Sequence, residues 1–160
     1  MSTRCGDIDP AIIFHLIRSG MSLSEVHQSM EKKGGLLGIS GLSRDMRDVH
    51  KAAQQGHQRA ALAINVFAHR VRKYLGAFLA ELGHCDAVVF TGGIGEGAFF
   101  IREKVLSGLD SLGIVFDRQR NEQHSRNPFL VTADGSPIAG WVIPTNEELM
   151  IARDTLELIA

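Results

Sequence analysis

Apolar positions recur every three or four residues over most of this chain, and the polar positions between them mark helix starts and stops. Asp9-Pro10 reads as a helix start, with Asp as N-cap and Pro at the first helical position. Ile12, Ile13, Leu16 and Ile17 form the stripe that follows, and Gly20 is placed to close it. Ser22 and Glu25 have capping-box spacing, with Met21 and Val26 as a hydrophobic staple. A second helix is therefore predicted up to the Gly34-Gly35 break. Residues 38–43 read as a loop and 44–55 as a short helix. The longest pattern, 57–82, puts Phe67, Val71, Leu75, Phe78 and Leu82 on one predicted buried face.

The pattern then shortens. Residues 86–90, DAVVF, are predicted to be a buried strand. Glycines follow at 92, 93, 95 and 97, and then a helix with Ile101, Val105, Leu109 and Leu112 inward, stopped by Gly113. Residues 114–116, FLVT at 129–132 and GWVIP at 140–144 read as further strands, the last two able to pair as a hairpin across Asp134-Gly135. Residues 117–127 read as a polar surface segment. Thr145 is predicted to cap a last helix, with Leu149, Ala152, Leu156 and Ile159 inward. Glu148 would then fold back as the capping-box partner, leaving Glu147 without that task. Helices first, then strand, helix, strands and helix, make an α/β chain weighted toward helix. No repeat, low-complexity tract or linker divides it, so one domain over 1–160 is expected.

Composition changes this picture little. The 160 residues are 44% hydrophobic and 22% charged, ordinary for a globular protein. A net charge of −1 provides no strong field for nucleic acid or an anionic membrane, and neither partner is expected. Cys5 and Cys85 have no metal-ligand spacing and read as free thiols of a reducing compartment, the cytoplasm. No apolar run is long enough to span a bilayer, and the N-terminus has no signal-peptide pattern. A dense polar motif at the very start of the chain suggests truncation.

Candidate chemistry centres on VVFTGGIGEGAFF. A strand handing over through glycines to a helix N-terminus is suited to an anion, because backbone N–H groups are free and glycine lets a phosphate come close. The spacing is neither a Walker loop nor G-x-G-x-x-G. Glu96 would oppose a phosphate lying directly against the turn, so adenosine or an inner phosphate suits it better. A tight turn with no ligand is the competing reading. Arg4 has a planar fork fit for phosphate or carboxylate, or is a solvated end. Asp7 is placed to order its turn. Asp45 and Arg47 sit at a helix mouth, as a cap with surface charge or as a ligand contact. Glu147, at a helix entrance after a strand, could hold magnesium or its waters, or answer the helix dipole. Seven scattered histidines show no metal-binding pattern.

TRCGDIDP, SRDMRDVH, VVFTGGIGEGAFFIRE, GLDSLGI and IPTNEELMIARDT, in this order, resemble the acetate kinases over essentially all 160 residues. The resemblance implies the superfamily of acetate and sugar kinases, Hsp70 and actin, with two ribonuclease-H-like domains around a cleft. The implied reaction is ATP + acetate ⇌ ADP + acetyl phosphate. By the same resemblance, Arg4 matches the arginine that stabilises the transferring phosphoryl group. Asp45, Met46 and Arg47 match a segment beside the adenosine. Gly93, Ile94, Gly95, Glu96 and Gly97 match a nucleotide-binding loop, and Glu147 matches the glutamate associated with Mg2+. Gly97 stands where the family usually has Asn, which would remove one nucleotide hydrogen bond. Family members are more than twice as long and carry the acyl site and half the phosphate clamp upstream. The chain is thus expected to be an incomplete C-terminal nucleotide-binding domain of a two-domain kinase, inactive alone and homodimeric. A propionate or other short-chain carboxylate kinase, or a non-catalytic nucleotide-binding or dimerisation module, are the alternatives.

Overall fold

Most helix boundaries fall where the caps form. In a computed structural model describing residues 1–159, Asp9 Oδ1 accepts the Ala11 N–H at 2.8 Å and starts α1, Ala11–Arg18. Gly20, at φ +97°, ends it: its N–H donates to Ile17 O at 3.0 Å and that of Met21 to Leu16 O at 3.2 Å, a Schellman pairing. The Ser22–Glu25 capping box is formed, with the Glu25 N–H to Ser22 Oγ at 3.3 Å and the Ser22 N–H to Glu25 Oε2 at 2.8 Å, opening α2, Leu23–Glu31.

The chain divides into two compact units, Met1–Ala77 and the residues from Phe78 onward. In the first, α3 (Gly35–Ser40) replaces the loop expected over 38–43. Gly41 ends it at φ +69°, and Arg59 donates from Nε to Ile39 O at 2.8 Å and from Nη2 to Gly38 O at 2.9 Å. The residue that satisfies the helix end is thus about twenty positions downstream, where a local pattern cannot reveal it. The start of α3 grips the chain's first residues: Leu36 N–H donates to Met1 O at 2.9 Å and Leu37 N–H to Ser2 O at 3.2 Å. Cys5 N–H donates to Met30 O at 2.8 Å. Next come α4 (Met46–Gln54) and α5 (Gln58–Leu82), the latter opened by His57, whose Nδ1 accepts the Ala60 N–H at 3.1 Å.

The buried face of α5 is Ala60, Ala63, Ile64 and Ala68. The predicted face is only partly right: Phe67, Val71 and Leu75 are half-buried, while Phe78 and Leu82 are 60% and 65% exposed. Mostly small residues face the core along the first half of this helix, and its last turns, with Phe78 and Leu82, run beyond the core. Asp7, expected to order its own turn, reaches instead to α5: it accepts from the Tyr74 hydroxyl and pairs with Arg70, whose guanidinium lies 5.7 Å from the Tyr74 ring centre.

The second unit holds a three-stranded sheet of β1 (Ala87–Phe90), β2 (Phe129–Leu130) and β3 (Ala139–Val142), ordered β1-β3-β2. β1 runs parallel to β3, with Val88 opposite Gly140, and β2 pairs antiparallel, Phe129 opposite Val142. Between β1 and β2 lie α6 (Gly92–Gly97), α7 (Phe99–Leu106), a 3-10 turn at Asp110–Leu112 and α8 (Arg118–Asn121). Phe90, Ile101, Val105, Leu106, Ile114, Val131 and Val142 form the core.

Several expectations fail here for one reason, that the sheet is small. Residues 114–116 make only isolated bridges, Leu109 to Ile114 and Phe116 to Thr132, and the strand expected over 129–132 is two residues long. β1 sits at the sheet's edge and is half-exposed, not buried; Leu112 is exposed as well. The last helix, α9 (Glu147–Ile159), buries no residue. Leu149, Ala152, Leu156 and Ile159, predicted inward, are exposed, Leu156 by 64%.

Candidate functional site

The chain leaves β1 at Phe90 and turns into α6 through residues that were expected to precede a helix but are themselves helical. Its glycines have different reasons to be there. Gly92 stands at φ +70°, which glycine adopts without strain. Gly95 packs on the strand: a Cβ there would lie 3.2 Å from the Phe90 carbonyl carbon and 3.5 Å from its Cα. Gly93 and Gly97 have neither reason. Their φ is not positive, and a Cβ on either would meet nothing within 4 Å. Glycine is about 1 kcal/mol less favourable than alanine inside a helix, so these two positions hold open space at the expense of local helix stability.

Glu96 does not present its charge to that open face. Its Oε1 accepts the Gly92 N–H at 2.9 Å, the Thr145 N–H at 2.9 Å and the Thr145 hydroxyl at 2.9 Å. The Thr145 N–H above all, then the Thr145 hydroxyl and the Gly92 N–H, hold its carboxyl below the usual range against a desolvation that works the other way. Glu96 therefore stays ionised, with its Oε1 directed to Gly92 and Thr145. A cavity of about 320 Å³ opens beside Glu96, walled by Gln123, His124, Ser125, Arg126, Phe129 and Val142.

Arg102 holds the other end of α6. It is 0% exposed, donating from Nη1 to Gly95 O at 2.8 Å and Glu96 O at 2.7 Å, and to Asn121 from Nε (Oδ1, 2.7 Å) and Nη2 (O, 2.7 Å). The Asn121 amide donates to Phe99 O at 3.0 Å, and the guanidinium lies 5.8 Å from the Phe129 ring centre. Burial pushes its pKa down to about 10, which still leaves it a cation at neutral pH. Sequence reasoning missed Arg102. The available signal was a charged residue beside Ile101, within the apolar stripe of α7.

Thr145 is occupied by Glu96 and does not cap α9. Asn146 does, its Oδ1 accepting the Leu149 N–H at 3.0 Å. Asn caps as well as Ser and better than Thr, so the start moves one residue. Glu147 and Glu148 become the first two helical residues, and the predicted Thr145–Glu148 box does not form. Both carboxylates stay exposed at the helix start.

In the first unit, Arg4 sits in the segment held by α3, backbone anchored and guanidinium exposed, with no hydrogen bond or ion pair to any described residue. Asp45 caps α4, accepting the Arg47 N–H at 2.8 Å. The Arg47 side chain, 89% exposed, folds back on the same carboxylate, Nε to Oδ1 at 3.0 Å and Nη2 to Oδ2 at 2.6 Å. Met46 is 5% exposed, its side chain in the core. The Arg47 side chain, then its N–H, hold the Asp45 carboxyl at about 2. A depressed carboxylate contributes stability above its unfolded pKa, near 4, and loses it as the pH falls through the folded value. The expected midpoint in a carboxyl-carbon NMR titration is therefore about 2, returning toward about 4 in Arg47→Ala.

Among the described residues no three His, Cys, Asp or Glu side chains group to hold a metal. Glu147 presents one exposed carboxylate at the start of α9, a hard oxygen of the kind a divalent cation takes. Cys5 and Cys85 are free and half-buried, and no described helix is long and apolar enough to cross a membrane.

A helix-rich α/β frame, with a glycine turn carrying β1 into α6 and a parallel β1–β3 pair, defines the class as ribonuclease-H-like, and comparison with known proteins agrees. The chain belongs to the acetokinase family, whose sequence profile matches residues 1–153. It is 51% identical, over its whole length, to the acetate kinase of Lawsonia intracellularis, of which it covers 40%. It resembles the crystal structure of Porphyromonas gingivalis acetate kinase (TM-score 0.92, 38% identity, 100% of this chain and 40% of that one). It also resembles that of a propionate kinase from Francisella tularensis subsp. tularensis (TM-score 0.85, 42% identity, 95% and 38%). The chain thus spans about 40% of the length of these relatives.

Proposed function

We propose that these 160 residues are the nucleotide-binding part of a two-domain acetate-kinase-like phosphotransferase, ATP + acetate ⇌ ADP + acetyl phosphate, and do not turn over alone. The observation that carries this is the open space over Gly93 and Gly97. Two helical glycines with no conformational or packing need leave backbone approachable by a flat ring or an inner phosphate. The cavity beside Glu96 is at the small end of the size range for ligand pockets.

In this reading Ile94 and Glu96 shape the turn, and Asp45, Met46 and Arg47 lie beside the adenosine. Met46 acts from the core, while the Arg47 guanidinium, exposed to solvent, is paired with Asp45. Arg4 offers an uncommitted guanidinium to the transferring phosphoryl group, where a planar cation stabilises spread negative charge. Magnesium would neutralise phosphate charge, with Glu147 as its one protein ligand from this chain. The likeness to a propionate kinase favours a second reading, a short-chain carboxylate other than acetate. The exposed apolar residues of α9 suit a homodimer in the cytoplasm.

The test is a titration of the chain with Mg·ADP, following Tm. Saturable stabilisation of RT ln(1 + [L]/Kd) form is expected. A Tm unmoved at millimolar Mg·ADP, or acetyl phosphate made at an intact enzyme's rate, would contradict the proposal.

A further inference from the structure

We propose that Glu96 and Thr145 form a clasp that ties the glycine turn to the entrance of α9, making Thr145 a positioning residue for Glu147; this rests on the nucleotide reading above. One carboxylate oxygen collects donors from both ends of the link, Gly92 within the turn and Thr145, 49 residues from Glu96. Charge-assisted bonds of this kind are about twice as strong as neutral ones.

The clasp has a fixed base. Arg102, fully buried, holds the carbonyls of Gly95 and Glu96, so the Glu96 backbone cannot follow a shifting Thr145. On the far side the order is compact. Thr145 is the anchor, Asn146 is the cap and Glu147 is the first helical residue. Two peptide units then separate the anchor from the carboxylate, and α9 has no buried residue of its own to fix its start. Upstream, the Ile143 N–H donates to Phe90 O at 3.0 Å and fixes the end of β3; beyond it, the Glu96 bonds are the side-chain tie that sets where Glu147 stands relative to the turn. Glu96 accordingly acts through Gly92 and Thr145 rather than by touching nucleotide.

The test compares ADP binding with and without magnesium, by calorimetry, in wild type, Thr145→Val, Thr145→Ser, Glu96→Ala and Glu147→Ala. Amide exchange at residues 92 and 145 is read by NMR without nucleotide. Thr145→Val removes only the hydroxyl bond, so metal-free ADP affinity is expected to stay within about twofold while the gain from magnesium falls about threefold or more. That gain falls toward the Glu147→Ala value, and Thr145→Ser restores it. Glu96→Ala also frees Gly92, so it weakens metal-free binding and speeds exchange at both amides. A wild-type magnesium gain in Thr145→Val overturns the clasp. If wild type binds no ADP, or gains nothing from magnesium, the nucleotide reading has failed and exchange alone decides. Faster exchange at both amides in Glu96→Ala supports the clasp, and unchanged protection at either overturns it.

Discussion

Replacing Arg102 with methionine is expected to destabilise the second unit by about 3 kcal/mol or more, because several acceptors lose their donor at once. Methionine fills much of the space but donates nothing. The carbonyls of Gly95, Glu96 and Asn121 and the Asn121 Oδ1 lose their donor; those of Asn121 are buried and those of Gly95 and Glu96 part-buried. Each buried unsatisfied acceptor costs about 1–3 kcal/mol. Lysine should rescue little, because a single ammonium cannot span four acceptors laid out for a guanidinium fork. Urea unfolding with unchanged m-value is the measurement. A loss below about 1 kcal/mol would mean the carbonyls find other partners, and that Arg102 is not what fixes α6.

Gly35→Ala is the second large effect. Gly35 stands at φ +58°, and a Cβ would lie 2.1 Å from Met1 O and 2.8 Å from Arg4 O, both backbone atoms that no rotamer change can move aside. The N-terminal segment must leave, breaking the Leu36 and Leu37 bonds to Met1 and Ser2. Positive φ alone costs about 1–2 kcal/mol for a non-glycine residue, and the displaced segment adds to it, so about 2–4 kcal/mol is expected. Gly20→Ala is the control. It has φ +97° but nothing within 4 Å, and should show the strain without the displacement. Arg4 rides on the displaced segment, so Gly35→Ala should also abolish any contribution Arg4 makes. Amide exchange at Leu36 and Leu37 reports it. Equal losses at positions 20 and 35 would show that the close approach is unimportant.

What could be read from the sequence was local. The Ser22–Glu25 box and the Gly20 stop rest on contacts within a few residues, and both are present; the strand expected over 86–90 forms at Ala87–Phe90 and leads into the glycine turn, though it is half-exposed and needs β3 to pair with. What could not be read depends on distant partners. α3 needed Arg59, and the true role of Thr145 needed Glu96. The inward faces assigned to α9 and to the end of α5 failed because periodicity gives a stripe but not what covers it. Thr145 and Asn146 are both capping residues and stand side by side, so the sequence alone does not decide which of them starts α9. The site divides in the same way. The run of glycines is plain in the sequence, but only the positive φ of Gly92 and the Cβ contact at Gly95, both of which the fold requires, separate these two from Gly93 and Gly97, which have neither. Arg102, which bonds two carbonyls of the turn, lies within the VVFTGGIGEGAFFIRE stretch, but nothing local marks it as the buried anchor.

That separation also gives the decisive measurement. Gly95→Val would strike the Phe90 backbone and confuse folding with binding. Gly93→Leu places a side chain in open space at a helical position, so the fold should keep or slightly raise its Tm. The measurement is the Tm shift on adding saturating Mg·ADP to Gly93→Leu and wild type side by side. The expected result is a clear rise in wild type and none in the variant, from apo forms of similar stability. An equal rise in both would contradict the central claim, because the nucleotide could not then lie over the open glycines of α6.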